Sequence, residues 1–252
     1  MARDHTSTAA VLIIGDEILS GRTQDVNLNA IARYLGTLGV DLKEARVVGD
    51  EEADIVEALN ALRTRYDYVF TTGGIGPTHD DITADCVARA FGVKLHEHPE
   101  IMKMMTDRWG DQLNAARRRM ARVPEGGTLV RNPVNGPPGF QIGNVFVLAG
   151  VPQIMRGMLE DVGHRLKGGA VVVARTVRVD GAGEGAIAAP LEAVARAYPD
   201  LSLGSYPYFS HEGYGSNLVV RGRDPAEVDA AVRELTEALR AAGIAEITEV
   251  DA

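Results

Sequence analysis

Thr71-Thr72-Gly73-Gly74-Ile75-Gly76-Pro77-Thr78-His79-Asp80-Asp81-Ile82-Thr83 is a glycine-rich turn between two patterned segments. The apolar run Tyr68-Val69-Phe70 before it reads as a strand, and Ile82 to Phe91 after it reads as an amphipathic helix. Three glycines in four positions let backbone N–H groups close on an anion, and the helix after them adds the positive end of its dipole. No Gly-Lys-Ser or Gly-Lys-Thr comes next, so the turn is not a P-loop, and its glycine spacing differs from the dinucleotide fingerprint. Asp80, Asp81 and Asp85 stand where a P-loop places its lysine. Carboxylates beside a phosphate repel it unless a divalent cation lies between them, which predicts Mg²⁺ or a similar hard ion. The plainer alternative is a strand-to-helix turn with an acidic N-cap.

Around this turn the first two-thirds of the chain alternates strand and helix patterns, as a mostly parallel sheet with helices on both faces requires. Strands are predicted over Ala10–Ile14, Leu42–Val48 and Val145–Leu148. Helices are predicted around Leu28–Leu35, Ile55–Leu62, Ile101–Trp109, Gln112–Val123 and Pro152–Leu166. Lys167-Gly168-Gly169 breaks the alternation, and the remaining third of the chain reads as βαββαβ, the split unit of a ferredoxin-like layer. The expectation is a three-layer α/β domain over residues 1–168 and a smaller ferredoxin-like α+β domain over 169–252.

A chain of 252 residues with 45% hydrophobic content can bury a substantial core. Its single cysteine, Cys86, excludes a disulfide framework and predicts a reducing, cytoplasmic setting. The net charge of −9 argues against a nucleic-acid groove. The N-terminal apolar run is too short for a signal peptide, and no stretch has the length of a membrane span. The one basic cluster, Arg117-Arg118-Arg119 with Arg122, reads as a solvated helix face or as a steering patch for an anionic ligand.

Open parallel sheets bind ligands outside the carboxyl ends of their strands. Gly15-Asp16-Glu17 follows the first strand, Gly49-Asp50-Glu51 the second and the glycine turn the third, so carboxylates and glycines converge on one edge. Asn27 reads either as a helix N-cap or as a contact to a ligand's polar edge. Asn132-Pro133-Val134-Asn135-Gly136-Pro137-Pro138-Gly139-Phe140 is a rigid loop that presents backbone to its surroundings. His96 and His98 share a strand face but lack a third metal ligand at suitable spacing, and His79 is the histidine placed near a ligand.

Together, Gly15-Asp16-Glu17-Ile18-Leu19-Ser20-Gly21, Asp25-Val26-Asn27, Val48-Gly49-Asp50, the Thr71–Thr83 turn, the Asn132–Phe140 loop and Gly150-Val151-Pro152 resemble the molybdopterin-binding fold family. The resemblance runs from about residue 10 to 160. It is to the N-terminal domain of competence/damage-inducible protein A, which is also similar to the N-terminal domain of eukaryotic FAD synthases. It implies catalytic and metal-ligating roles for Asp50 and Asp81. Implied ligand- or phosphate-binding residues are Gly15, Asp16, Glu17, Asn27, Thr72, Gly73, Gly74, Gly76, Pro77, Thr83, Asn135 and Gly139. The implied activities are pyrophosphatase action on ADP-ribose or FAD-like dinucleotides with Mg²⁺, Mn²⁺ or Co²⁺, adenylyl transfer to molybdopterin, or binding of a nucleotide or pterin without turnover. A homo-oligomer, dimer or trimer, is the expected assembly. The chain departs from the pattern in one stretch: where the family commonly has Leu-Pro-Gly-Val-Pro-x-Glu-Met, this chain has Leu148-Ala149-Gly150-Val151-Pro152-Gln153-Ile154-Met155, with Ile154 at the acidic position.

Overall fold

Six consecutive apolar residues, Ala9 to Ile14, are too many for a strand with one wet face, and all six are buried in β1 (Thr8–Ile14). The computed structural model describes residues 6–211 and 213–250. It divides into a larger unit, Met1–Gly169, and a smaller one, Ala170–Ala252. In the larger unit β1 is followed by α1 (Asp16–Leu19), α2 (Asn27–Thr37), β2 (Asp41–Val48), α3 (Glu52–Arg65), β3 (Tyr68–Thr72) and α4 (Thr83–Phe91). Next come β4 (Leu95–Glu97), α5 (Pro99–Trp109), α6 (Ala115–Arg119), β5 (Arg122–Pro124), β6 (Thr128–Val130), β7 (Gly139–Ile142), β8 (Val145–Leu148) and α7 (Pro152–Val162).

Six strands form one sheet in the order β2-β1-β3-β8-β7-β6. The first four run parallel, and β7 and β6 close the edge as antiparallel strands. Successive side chains of a strand point to opposite faces, so β1 feeds two cores at once. Ala10, Leu12 and Ile14 pack with Ile55, Leu59, Val87 and Met105 from α3, α4 and α5. Ala9, Val11 and Ile13 pack with Ile31, Leu35, Met155 and Met158 from α2 and α7. The result is a three-layer mixed α/β domain with a mostly parallel sheet.

Two local expectations change. The predicted helix over Gln112–Val123 shrinks to Ala115–Arg119, because Ala121 and Val123 are fully buried in alternation and residues 122–124 pair with β4 instead. The Asn132–Phe140 loop ends inside a strand, since Gly139 and Phe140 open β7. Asn27 does not cap α2 with its side chain; the Asp25 carboxylate accepts the amides of Leu28 (2.9 Å) and Asn27 (3.4 Å) and leaves the Asn27 amide group available elsewhere.

The smaller unit has β9 (Val173–Asp180), α8 (Glu184–Ala197), β10 (Ser202–Ser210), β11 (Gly213–Gly222), α9 (Pro225–Ala241) and β12 (Ile247–Val250). Its antiparallel sheet has the order β10-β11-β9-β12, with Val177, Val179, Leu218 and Val220 covered by Ile187, Val194, Val228 and Leu235 of the two helices. No helix among the described residues is long and apolar enough to cross a membrane.

Candidate functional site

The carboxyl ends of β1, β3 and β8 meet backbone to backbone, and glycine is what permits it. Gly73 has φ 103°, and a Cβ there would lie 2.1 Å from the Ile14 carbonyl oxygen; Gly150 lies so close that its own Cβ would sit 3.2 Å from the Gly73 Cα. Gly74, at φ 67°, faces Thr83, whose Oγ1 is 2.2 Å from where a Cβ would stand. Thr83 itself is fully buried: its hydroxyl donates to the Gly73 carbonyl (2.9 Å) and its amide to the Gly74 carbonyl (3.0 Å). Thr83 therefore ties the glycine turn to the first residue of α4, and its polar atoms are spent inside the protein.

Beside this turn opens a cavity of about 600 Å³. Gly73, Gly74, Ile75, Gly76 and Asp81 form part of its wall, with Arg108, Trp109, Arg119 and Arg122 from the α5–β5 region. Asn132, Asn135–Pro138, Phe140, Gly150–Pro152 and the apolar Ile154 also line it. Of the residues singled out in the sequence, Glu17, Gly73, Gly74, Gly76, Asp81 and Asn135 line this cavity. Asn27 and Thr72, with Glu17 and Gly73, line an adjoining cavity of about 60 Å³. Gly15, Asp16, Asp50, Pro77, Thr83 and Gly139 line neither. Gly139 packs inside the sheet, where a Cβ would meet the Val147 carbonyl at 2.3 Å. His79 has a fully solvated side chain 3.9 Å from Asp80 and lines neither cavity.

The carboxylates divide by what they touch. Asp50 Oδ2 accepts the Asp16 amide (3.0 Å) and Asp16 Oδ1 accepts the Asp50 amide (3.3 Å), so the ends of β1 and β2 are cross-linked by two acids. Burial pushes the Asp50 carboxyl above its usual range; the Asp16 amide opposes this, and the charges of Asp16, Glu17 and Asp80 add to it. Asp81 Oδ2 accepts both the amide (2.8 Å) and the hydroxyl of Thr78, while Oδ1 has no hydrogen-bond donor among the described residues. Asp85 is neutralised by a two-pronged contact from Arg122 (2.9 and 2.6 Å). The Cys86 thiol, buried and pushed up to about 11 by that burial, is no nucleophile.

Among the described residues no three His, Cys, Asp or Glu side chains converge as a metal cage, and the rings of His96 and His98 stand 6.0 Å apart. A hard cation held by Asp81 would thus take most of its ligands from a bound phosphate and from water, as Mg²⁺ does in nucleotide sites.

Sequence reasoning had Arg119 only within a basic cluster read as a solvated face or an anion-steering patch, and it missed Trp109 as a cavity residue. Arg119 Nη2 donates to the Asp81 carbonyl at 3.1 Å, and Arg108 lies 5.0 Å over the Trp109 ring. The run of arginines carried the signal, but spacing alone could not say which of them turns inward.

Residues 10–168 match the family described as a probable molybdopterin binding domain, and residues 172–247 match the middle domain of FAD synthase. A protein of Archaeoglobus fulgidus is 35% identical over 234 residues, covering 91% of this chain and 96% of its own length. A CinA-like protein of Gemmatimonas aurantiaca is 32% identical and covers 91% of this chain, which spans only 57% of that relative. Among solved structures, the protein CinA of Thermoplasma acidophilum, of unknown function, aligns with a TM-score of 0.60 at 31% identity, over 64% of this chain and 98% of its own. The chain belongs to the molybdopterin-binding domain family, among its CinA-like members, and beyond that domain its residues 172–247 match the middle domain of FAD synthase.

Proposed function

We propose that the protein is a metal-dependent pyrophosphatase that cleaves a dinucleotide of the ADP-ribose or FAD type. The observation that carries this reading is the composition of the large cavity, which joins the backbone of Gly73–Gly76, the Asp81 carboxylate and the Arg119 guanidinium to an apolar wall that includes Trp109 and Phe140. Backbone amides and a guanidinium suit the bridging phosphates, and the apolar wall suits a flat heterocycle.

In the proposed reaction a water attacks one phosphorus, the bridging P–O bond breaks, and two phosphomonoesters leave. Asp81, anchored through Oδ2 by Thr78, has Oδ1 available to orient that water or to hold a cation. A divalent ion bound with the substrate would neutralise charge on the phosphoryl oxygens. Asp50 shapes the edge of the site through Asp16 rather than from within the cavity.

The match to a probable molybdopterin binding domain favours a second reading, in which the same cavity takes a pterin and the chemistry is adenylyl transfer. Incubation with ADP-ribose, FAD, NAD, or ATP plus molybdopterin, each with and without Mg²⁺, Mn²⁺ or Co²⁺, separates the two. Release of AMP from a dinucleotide supports the pyrophosphatase, and transfer of AMP to the pterin supports the alternative. Saturable binding without any product would leave a ligand-binding module.

A further inference from the structure

Four arginines between residues 117 and 122 differ in what they face. Arg118 grips Glu97 through Nε (2.9 Å) and Nη2, and Arg122 clasps Asp85. Arg117 donates to the Gln112 carbonyl and lies over the Trp109 ring at 5.4 Å. Arg119 has no carboxylate within ion-pair distance among the described residues, and its Nε is buried without an acceptor. Its one bond, from Nη2, goes to the main-chain carbonyl of Asp81. A chain of net charge −9 has acids to spare, and a buried guanidinium N–H left without an acceptor is costly. The side chain lines the large cavity together with the glycine turn and Asp81.

We infer that Arg119 is the residue that binds the phosphate charge of the ligand in this cavity, and that its bond to the Asp81 carbonyl sets Asp81 in place against that phosphate. The inference rests on the phosphate-binding part of the proposed function and not on turnover. A phosphoryl oxygen in the cavity supplies the counter-charge that no carboxylate gives Arg119, and the planar fork of a guanidinium matches two such oxygens better than a point charge does.

The test is calorimetric titration of the full chain with inorganic pyrophosphate, with and without Mg²⁺, for the wild type, Arg119→Gln, Arg119→Lys and Arg118→Gln. Arg119→Gln is expected to weaken binding by about tenfold or more, and Arg119→Lys by less, because it keeps the charge but not the fork. Arg118→Gln alters net charge equally and is expected to stay within about twofold of the wild type. Wild-type affinity in Arg119→Gln, or equal losses in Arg118→Gln and Arg119→Gln, overturns the inference, as does a wild type that fails to bind pyrophosphate. Wild-type affinity in Arg119→Lys removes the forked contact. If Arg119→Gln does not fold, Arg119→Lys against Arg118→Gln carries the comparison. Arg119-dependent pyrophosphate binding in a protein that hydrolyses no dinucleotide would sustain this inference while sinking the pyrophosphatase.

Discussion

Replacing Thr83 by valine tests whether the glycine turn is held from inside the protein or completed by a ligand. The two side chains have nearly the same shape, so the change removes a hydroxyl and little else. That hydroxyl is fully buried and donates to the Gly73 carbonyl at 2.9 Å. Losing a neutral hydrogen bond costs about 1 kcal/mol, and a buried carbonyl left without its donor raises the total to about 2 kcal/mol. For a unit of this size each kcal/mol shifts the melting temperature by about 2–4 °C, so Thr83→Val is expected to melt about 4–8 °C below the wild type. Thr83→Ser keeps the hydroxyl and gives up one buried methyl, for a loss of about 1 kcal/mol. Thermal and urea unfolding of the full chain, alongside pyrophosphate titration, provide the readout. A Thr83→Val protein that melts with the wild type yet binds pyrophosphate about tenfold more weakly would place the hydroxyl on the ligand and refute the staple. One that changes in neither respect would refute the energetic reasoning as well.

Asp81→Asn keeps an acceptor for the Thr78 amide and hydroxyl and should therefore melt like the wild type, while turnover of whichever dinucleotide is cleaved falls by about 10²-fold or more; undiminished activity reduces Asp81 to a turn residue. Asn27→Asp replaces the amide that donates to the Gly150 carbonyl at 2.7 Å with a buried carboxylate facing that oxygen. A loss of about 2 kcal/mol or more is expected at neutral pH, with partial recovery in acid as the carboxyl becomes a donor; equal urea midpoints for variant and wild type at neutral pH contradict it. For Asp50 the folded-state carboxyl lies above its ordinary value, so the folded protein holds that proton more tightly than the unfolded chain and loses stability as pH rises through the raised value. Asp50→Asn should accordingly melt above the wild type at pH near 7, with the gap closing below about pH 4; a lower melting temperature for the variant at neutral pH reverses the assignment.

The strand-helix alternation, the glycine turn and the βαββαβ order were legible in sequence because each rests on local rules. Side-chain periodicity gives the faces of Ala9–Ile14, and positive φ explains why glycine stands at residues 73 and 74. The edge strands were not legible: β4, β5 and β6 have three residues each, too few for a period to show, and β7 begins within a proline-rich loop.

The same division runs through the site. Sequence alone marked the turn, the acids at the strand ends and the side chains of Asp81 and Glu17 as belonging together, since the ends of neighbouring parallel strands must lie along one edge. Which polar atoms remain available depends on partners far away in the chain. Asp85 is neutralised by an arginine 37 residues later, Asn27 is engaged by a carbonyl 123 residues later, and Thr83 is consumed by the turn it follows. Four arginines that look alike in sequence become two ion-paired side chains, one that lies over Trp109, and one guanidinium with a buried donor left unfilled. Where α6 and β5 come to lie against β4, α4 and the glycine turn decides this, because the charge on an arginine is local while the acceptor that answers it is not.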